Sequence, residues 1–129
     1  MGVNAMKKLL ILTAMGEAAF GLLLLVVPRL AVQALFDAEV DAVGVIMSRI
    51  AAVALIGLGV ACWPSRTGEG RQQLYGMLTY SILVMLYLVR IGIRGVPVGR
   101  CLWPAVIIHA VLIVLLTVAG IKARRSPPA

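Results

Sequence analysis

Acidic residues are scarce in this sequence, five against twelve lysines and arginines in 129 residues, and Glu17 alone of the five falls inside a long apolar run. Histidine occurs once and cysteine twice, and aromatic residues make up 5% of the chain. Each shortage excludes something. Cys62 and Cys101 form no C-x-x-C, so thiol redox chemistry and a structural zinc site are unsupported. The two thiols fall at opposite ends of a bilayer-spanning arrangement, too far apart to pair within one chain. His109 alone is too few donors for zinc or haem, so no metal is expected. The basic residues are not interleaved with stacking aromatics as on a nucleic-acid surface, and nucleic acid is excluded as a partner.

Catalytic signatures are missing too. The chain has no nucleophile elbow, no phosphate-cradling glycine loop and no paired carboxylates within the apolar runs. Gly57-Leu58-Gly59-Val60 lies inside a hydrophobic segment with no strand before it, which favours helix packing over dinucleotide binding. The reading leans away from an enzyme, and no resident cofactor is implied.

What the chain has is apolar length. It is 62% hydrophobic and 13% charged, with a mean hydropathy of +1.06, outside the range of soluble domains. At ~20 residues per crossing there is room for four spans and little else. They read as about 8–27, 42–63, 72–91 and 101–120. Lys7 and Lys8 before an apolar run resemble a signal peptide, but the run continues to Val27 and is read as a span. Pro28 closes it, and residues 29–36 are too short to cross again and read as an interfacial helix. Trp63-Pro64 closes the second span, and the tail from Lys122 is expected to fray. The expected fold is therefore all-α, a four-transmembrane-helix bundle with a short interfacial helix between the first and second spans, in one domain.

Orientation follows from the basic residues. Lys7, Lys8, Arg66, Arg71, Lys122, Arg124 and Arg125 stand on the side of the termini, and Arg29, Arg90, Arg94 and Arg100 on the other with Asp37, Glu39 and Asp41. Seven against four places both termini in the cytoplasm of a multi-pass inner-membrane protein.

Every span carries a polar candidate: Glu17 in the first, Arg49 in the second, Tyr80 and Tyr87 in the third, His109 in the fourth. Helical periodicity puts Leu10, Thr13, Ala14, Glu17, Gly21 and Leu24 on one face, whose small residues permit close helix approach. Arg49 shares a face with Ala52 and Val45, and Gln73, Tyr80, Tyr87 and Arg94 form a file that drifts only ~20° per heptad. A rise of ~1.5 Å per residue places Arg49, Tyr87 and His109 about 10 Å below the outer end, with Glu17 and Tyr80 deeper. The expectation is a buried Glu17–Arg49 ion pair whose remaining hydrogen bonds come from tyrosine and histidine. The alternative is a polar chamber open to the outer leaflet that binds a ligand or passes protons.

Glu17-Ala18-Ala19-Phe20-Gly21 leading to Pro28 and Leu35-Phe36, then Ser48-Arg49-Ile50-Ala51 with Gly57 and Gly59, resembles the small bacterial four-helix membrane proteins called DoxX-like. The resemblance covers the first half of the chain. It implies a four-helix membrane bundle, some of whose relatives are linked to quinol oxidase or other redox complexes, and it transfers no catalytic residue. Small multidrug-resistance transporters offer a second comparison, with four spans and one essential carboxylate where Glu17 stands. This chain lacks their aromatic-rich third span and their glycine-rich closing motif. Three functions follow as expectations: an accessory or scaffold subunit with a membrane-protein partner or a second copy, a module binding a quinone or another amphiphile, and a proton-coupled small transporter.

Overall fold

In the computed structural model the described residues, 2–64, 70–94 and 98–125, are helical apart from short connections and contain no strand. Five helices follow in order: α1 (Gly2–Val26), α2 (Pro28–Phe36), α3 (Ala42–Ala61), α4 (Arg71–Ile93) and α5 (Leu102–Arg125). All but α2 are long and apolar enough to cross a bilayer. The chain is a multi-pass membrane protein with the expected four spans and the short helix between the first two. The ends differ in detail. α1 reaches back to Gly2, and α5 runs on through Lys122, Arg124 and Arg125, where fraying was expected. The sequence also reads as polar connections at 65–70 and 92–100, of which residues 65–69 and 95–97, like the tail 126–129, lie outside the described residues.

Local chemistry explains the breaks. Pro28 does more than stop α1. Its fixed φ and missing N–H suit the first position of a helix, and α2 begins there after a single non-helical residue, Val27. α2 ends at Asp37, whose φ of 49° is left-handed and whose N–H donates to the Gln33 carbonyl. Aspartate tolerates that conformation better than most residues. Asp41 caps α3, its carboxylate accepting from the Gly44 N–H at 2.7 Å.

α1 is the hub. It packs along α3 on one side and against α5 and, more lightly, α4 on the other, while α4 and α5 pair with each other. The face expected to be interior is interior: Leu10, Thr13, Ala14, Glu17 and Leu24 are buried, as is Gly21. In lipid there is little hydrophobic gain from joining two helices, so contact depends on close packing. The α1–α3 seam shows how it is reached. A Cβ on Gly59 would stand 2.8 Å from the Ala14 carbonyl oxygen, and one on Gly21 2.9 Å from that of Ala52. Backbone meets backbone at two levels, and any larger residue would force the helices apart.

Two apolar clusters fill the ends. Met6, Leu10, Ala14, Cys62, Leu74, Met77 and Leu116 pack at the end bearing the termini. Leu24, Ala31 and Ala52, backed by Leu25, Val32 and Leu55, pack at the other. At that second end, the Gly99 N–H donates to the Leu35 carbonyl and the Cys101 N–H to that of Ala34, both at 2.9 Å. These bonds clip α2 to the segment entering α5. A side chain on Gly99 would overlap the Ala34 carbonyl, so the clip requires glycine.

Candidate functional site

Between the two clusters lies the polar layer. Glu17 faces the α4–α5 pair. Tyr80 from α4 donates its hydroxyl proton to Glu17 Oε2 at 3.0 Å. His109 from α5 brings Nε2 to 3.8 Å from Glu17 Oε1, with side-chain exposures of 13% for the histidine and 9% for the glutamate. The Tyr80 and His109 rings stand 6.1 Å apart at an interplanar angle of 56°, a tilted contact of ordinary aromatic geometry. Three helices thus contribute one group each to a buried salt bridge with a phenol hydrogen-bonded to it.

The histidine's backbone contact fixes where its protons lie. His109 Nδ1 is 2.8 Å from the Ala105 carbonyl oxygen, an acceptor only, so Nδ1 carries a hydrogen and donates it. Nε2 then faces the carboxylate either bare or protonated. A bare nitrogen opposite an ionised oxygen would set lone pair against lone pair. A proton on either group removes that conflict. At 3.8 Å the two groups are within ion-pair reach but beyond a direct hydrogen bond, and Nε2 is sealed from solvent with no hydrogen-bond partner among the described residues.

Magnitudes place this cluster between structure and function. Opposite charges at 4 Å attract by about 4 kcal/mol at an effective dielectric of 20, while desolvation costs several kcal/mol per ion. On these figures the ion pair alone is not a source of stability. Its value lies in fixing which faces of α1, α4 and α5 meet, because any other rotation would strand a carboxylate in hydrocarbon.

Of the five residues expected to form the site, the structure joins Glu17, Tyr80 and His109. Arg49 and Tyr87 are corrections: both are exposed, Tyr87 by 64%. Arg49 lies on the edge of α3 away from Glu17, in a groove with Val26, Val27, Pro28, Arg29, Leu30 and Val45. A buried pair exists, but the partner of Glu17 is His109 and not Arg49. α3 meets α1 through Ala52 and Gly59 and carries Arg49 on an exposed face, so the four spans do not all point their polar residues at one axis.

Ser81 was not foreseen. It is fully buried and its hydroxyl has no hydrogen-bond partner among the described residues. Its spacing from Leu74, Met77 and Leu88 puts it on the inward seam of α4, a signal present in the sequence. Trp63 and Trp103 are about half exposed near helix ends, as interfacial anchors would be. No group of three or more metal-ligating side chains occurs among the described residues.

These features define a class: a four-span membrane protein with a Glu–Tyr–His cluster buried in its three-helix core. No protein-family model, curated protein or solved structure matches the chain.

Proposed function

We propose that this protein is an accessory or scaffold subunit, in which α3 associates with a membrane-spanning helix of another protein or of a second copy. The observation that carries the reading is the outward side of α3. Ala54, Gly57 and Ala61 are all exposed there, and a Cβ built on Gly57 meets nothing within 4 Å. Small residues three and four apart on a lipid-facing surface let a second helix approach closely. Beside them an apolar groove of about 250 Å³ runs along the α1–α3 seam, lined by Ala14, Met15, Ala18, Gly59, Val60 and Trp63. The polar cluster then serves as the internal lock that keeps α1, α4 and α5 together while α3 is engaged. The resemblance of the first half to DoxX-like proteins, some of which are linked to redox complexes, agrees with a subunit role.

Gly57→Leu tests the proposal. The added side chain enters open space in the single chain, so folding is retained, but it blocks close approach of another helix. Polymer-bounded discs cut from native membranes should hold the wild type in an assembly heavier than one chain and Gly57→Leu as one chain. A wild type recovered as a single chain would refute the role.

A second reading has one observation behind it, the buried His109 Nε2 that faces Glu17 without a hydrogen bond. A proton shared between these groups at mid-membrane depth is what a proton-coupled carrier would use. Under that reading, reconstituted vesicles should show proton flux that Glu17→Gln abolishes. Equal flux in empty vesicles would exclude it.

A further inference from the structure

The groove that holds Arg49 poses a problem the polar cluster does not solve. It has a volume of about 430 Å³ and lies between the end of α1, the start of α2 and the outer third of α3. Two guanidiniums line it, Arg29 and Arg49. Neither makes an ion pair or hydrogen bond with any described residue. The acidic residues at that end, Asp37, Glu39 and Asp41, do not pair with them, and Asp41 is occupied in capping α3.

Arg49 lies seven residues inside α3, about 10 Å below its outer end by the helical rise. A fixed positive charge at that depth needs an anion. No described residue supplies one, whereas headgroup phosphates stand above it at the membrane boundary, toward which a long arginine side chain extends. The remaining walls, Val26, Val27, Leu30 and Val45, are apolar and suit the glycerol and upper acyl carbons beneath a phosphate. The Arg29 and Leu30 amides belong to the first turn of α2 and lack intrahelical acceptors, so they add donors at the same end.

We propose that this groove is a binding site for the phosphate of an anionic phospholipid, gripped by Arg29 and Arg49, in the leaflet opposite the chain termini. The site is separate from the Glu17 cluster and independent of the scaffold role, since it faces lipid on the α2 side of α3. Arginine suits the task because its planar fork can give two parallel hydrogen bonds to one phosphate.

The experiment is a native mass-spectrometric titration of the detergent-solubilised full chain with phosphatidylglycerol, phosphatidylcholine and inorganic phosphate. Wild type should retain one phosphatidylglycerol per chain in preference to phosphatidylcholine, and inorganic phosphate should not displace it. Near-surface cations contribute about fivefold each to anionic lipid binding, so Arg29→Gln and Arg49→Gln should each weaken retention about fivefold, and the double variant about thirtyfold. The control is Arg90→Gln/Arg94→Gln, which removes the same charge from exposed positions at the same end of α4. It should leave retention within twofold. Equal losses in both double variants would show general charge attraction and overturn the site, as would equal retention of the two lipids or displacement by inorganic phosphate. Thermal unfolding of each variant without added lipid checks that folding is intact, and because both arginines are exposed it should be unchanged.

Discussion

Removing the Tyr80 hydroxyl while keeping its ring, Tyr80→Phe, takes away the hydrogen bond that holds Glu17 Oε2 and leaves His109 as the carboxylate's partner. A hydrogen bond to a charged group inside a protein contributes about 1.5–3 kcal/mol, and bonds between membrane helices average about 0.6 with a maximum near 1.7. The Tyr80–Glu17 bond joins helices, is 3.0 Å long and is partly buried, so it belongs near the top of the membrane range, about 1–1.5 kcal/mol. The single variants are ambiguous, because Glu17→Leu also removes a desolvated charge and could stabilise the bundle. The double-mutant cycle is not. Coupling between Tyr80→Phe and Glu17→Leu, measured by reversible unfolding in bicelles, should be about 1–1.5 kcal/mol. Coupling between Arg49→Gln and Glu17→Leu should stay within about 0.3 kcal/mol of zero, since the two have no shared partner. A Tyr80–Glu17 coupling below that level, or an Arg49–Glu17 coupling above it, would show that the polar layer is arranged differently from what is described here.

Four further outcomes follow. Gly59→Ala should destabilise the bundle by about 1–3 kcal/mol because its Cβ meets the α1 backbone, whereas Gly57→Ala should be neutral or stabilising by about 0.5–1 kcal/mol in the same unfolding assay. Ser81→Ala removes a buried hydroxyl without a partner and should raise stability by up to about 1 kcal/mol, and a loss of that size would reveal a bond the hydroxyl makes. Gly99→Ala should break the clip between α2 and the start of α5, which hydrogen exchange would register as lost protection at the amides of residues 99 and 101. Cys101 is exposed and Cys62 buried; the orientation proposed from the basic residues, both termini cytoplasmic, predicts that a membrane-impermeant maleimide labels Cys101 in intact cells, and labelling only after lysis would reverse it.

The spans were legible because their signal is long and one-dimensional. Apolar runs bounded by Pro28, Asp41, Pro64 and Gly70 leave few other choices, and the helices begin and end within a few residues of these marks. The inward face of α1 was legible for a related reason, since Glu17 needs cover and Ala14 and Gly21 give room for it. Membership of the cluster was harder. Periodicity says which residues of one helix share a face, and rise says how deep each lies, but neither says which helix stands opposite. Tyr80 and Tyr87 show the limit, seven residues apart on one file. The first touches Glu17 and the second faces outward, because each heptad drifts by ~20° and the file runs along the edge of a seam centred on Leu74, Met77, Ser81 and Leu88.

The position of α1 at the hub also sets an order of events during synthesis. α1 leaves the ribosome first, yet the tyrosine that bonds its carboxylate lies 63 residues further along the chain, and the histidine comes later still. At about 5–20 residues per second, Glu17 waits roughly 3–13 seconds for its first partner. For that interval the most costly group in the bundle has no counterpart in its own chain. The cost of burying Glu17 is therefore offset only once α4 and α5 have been made.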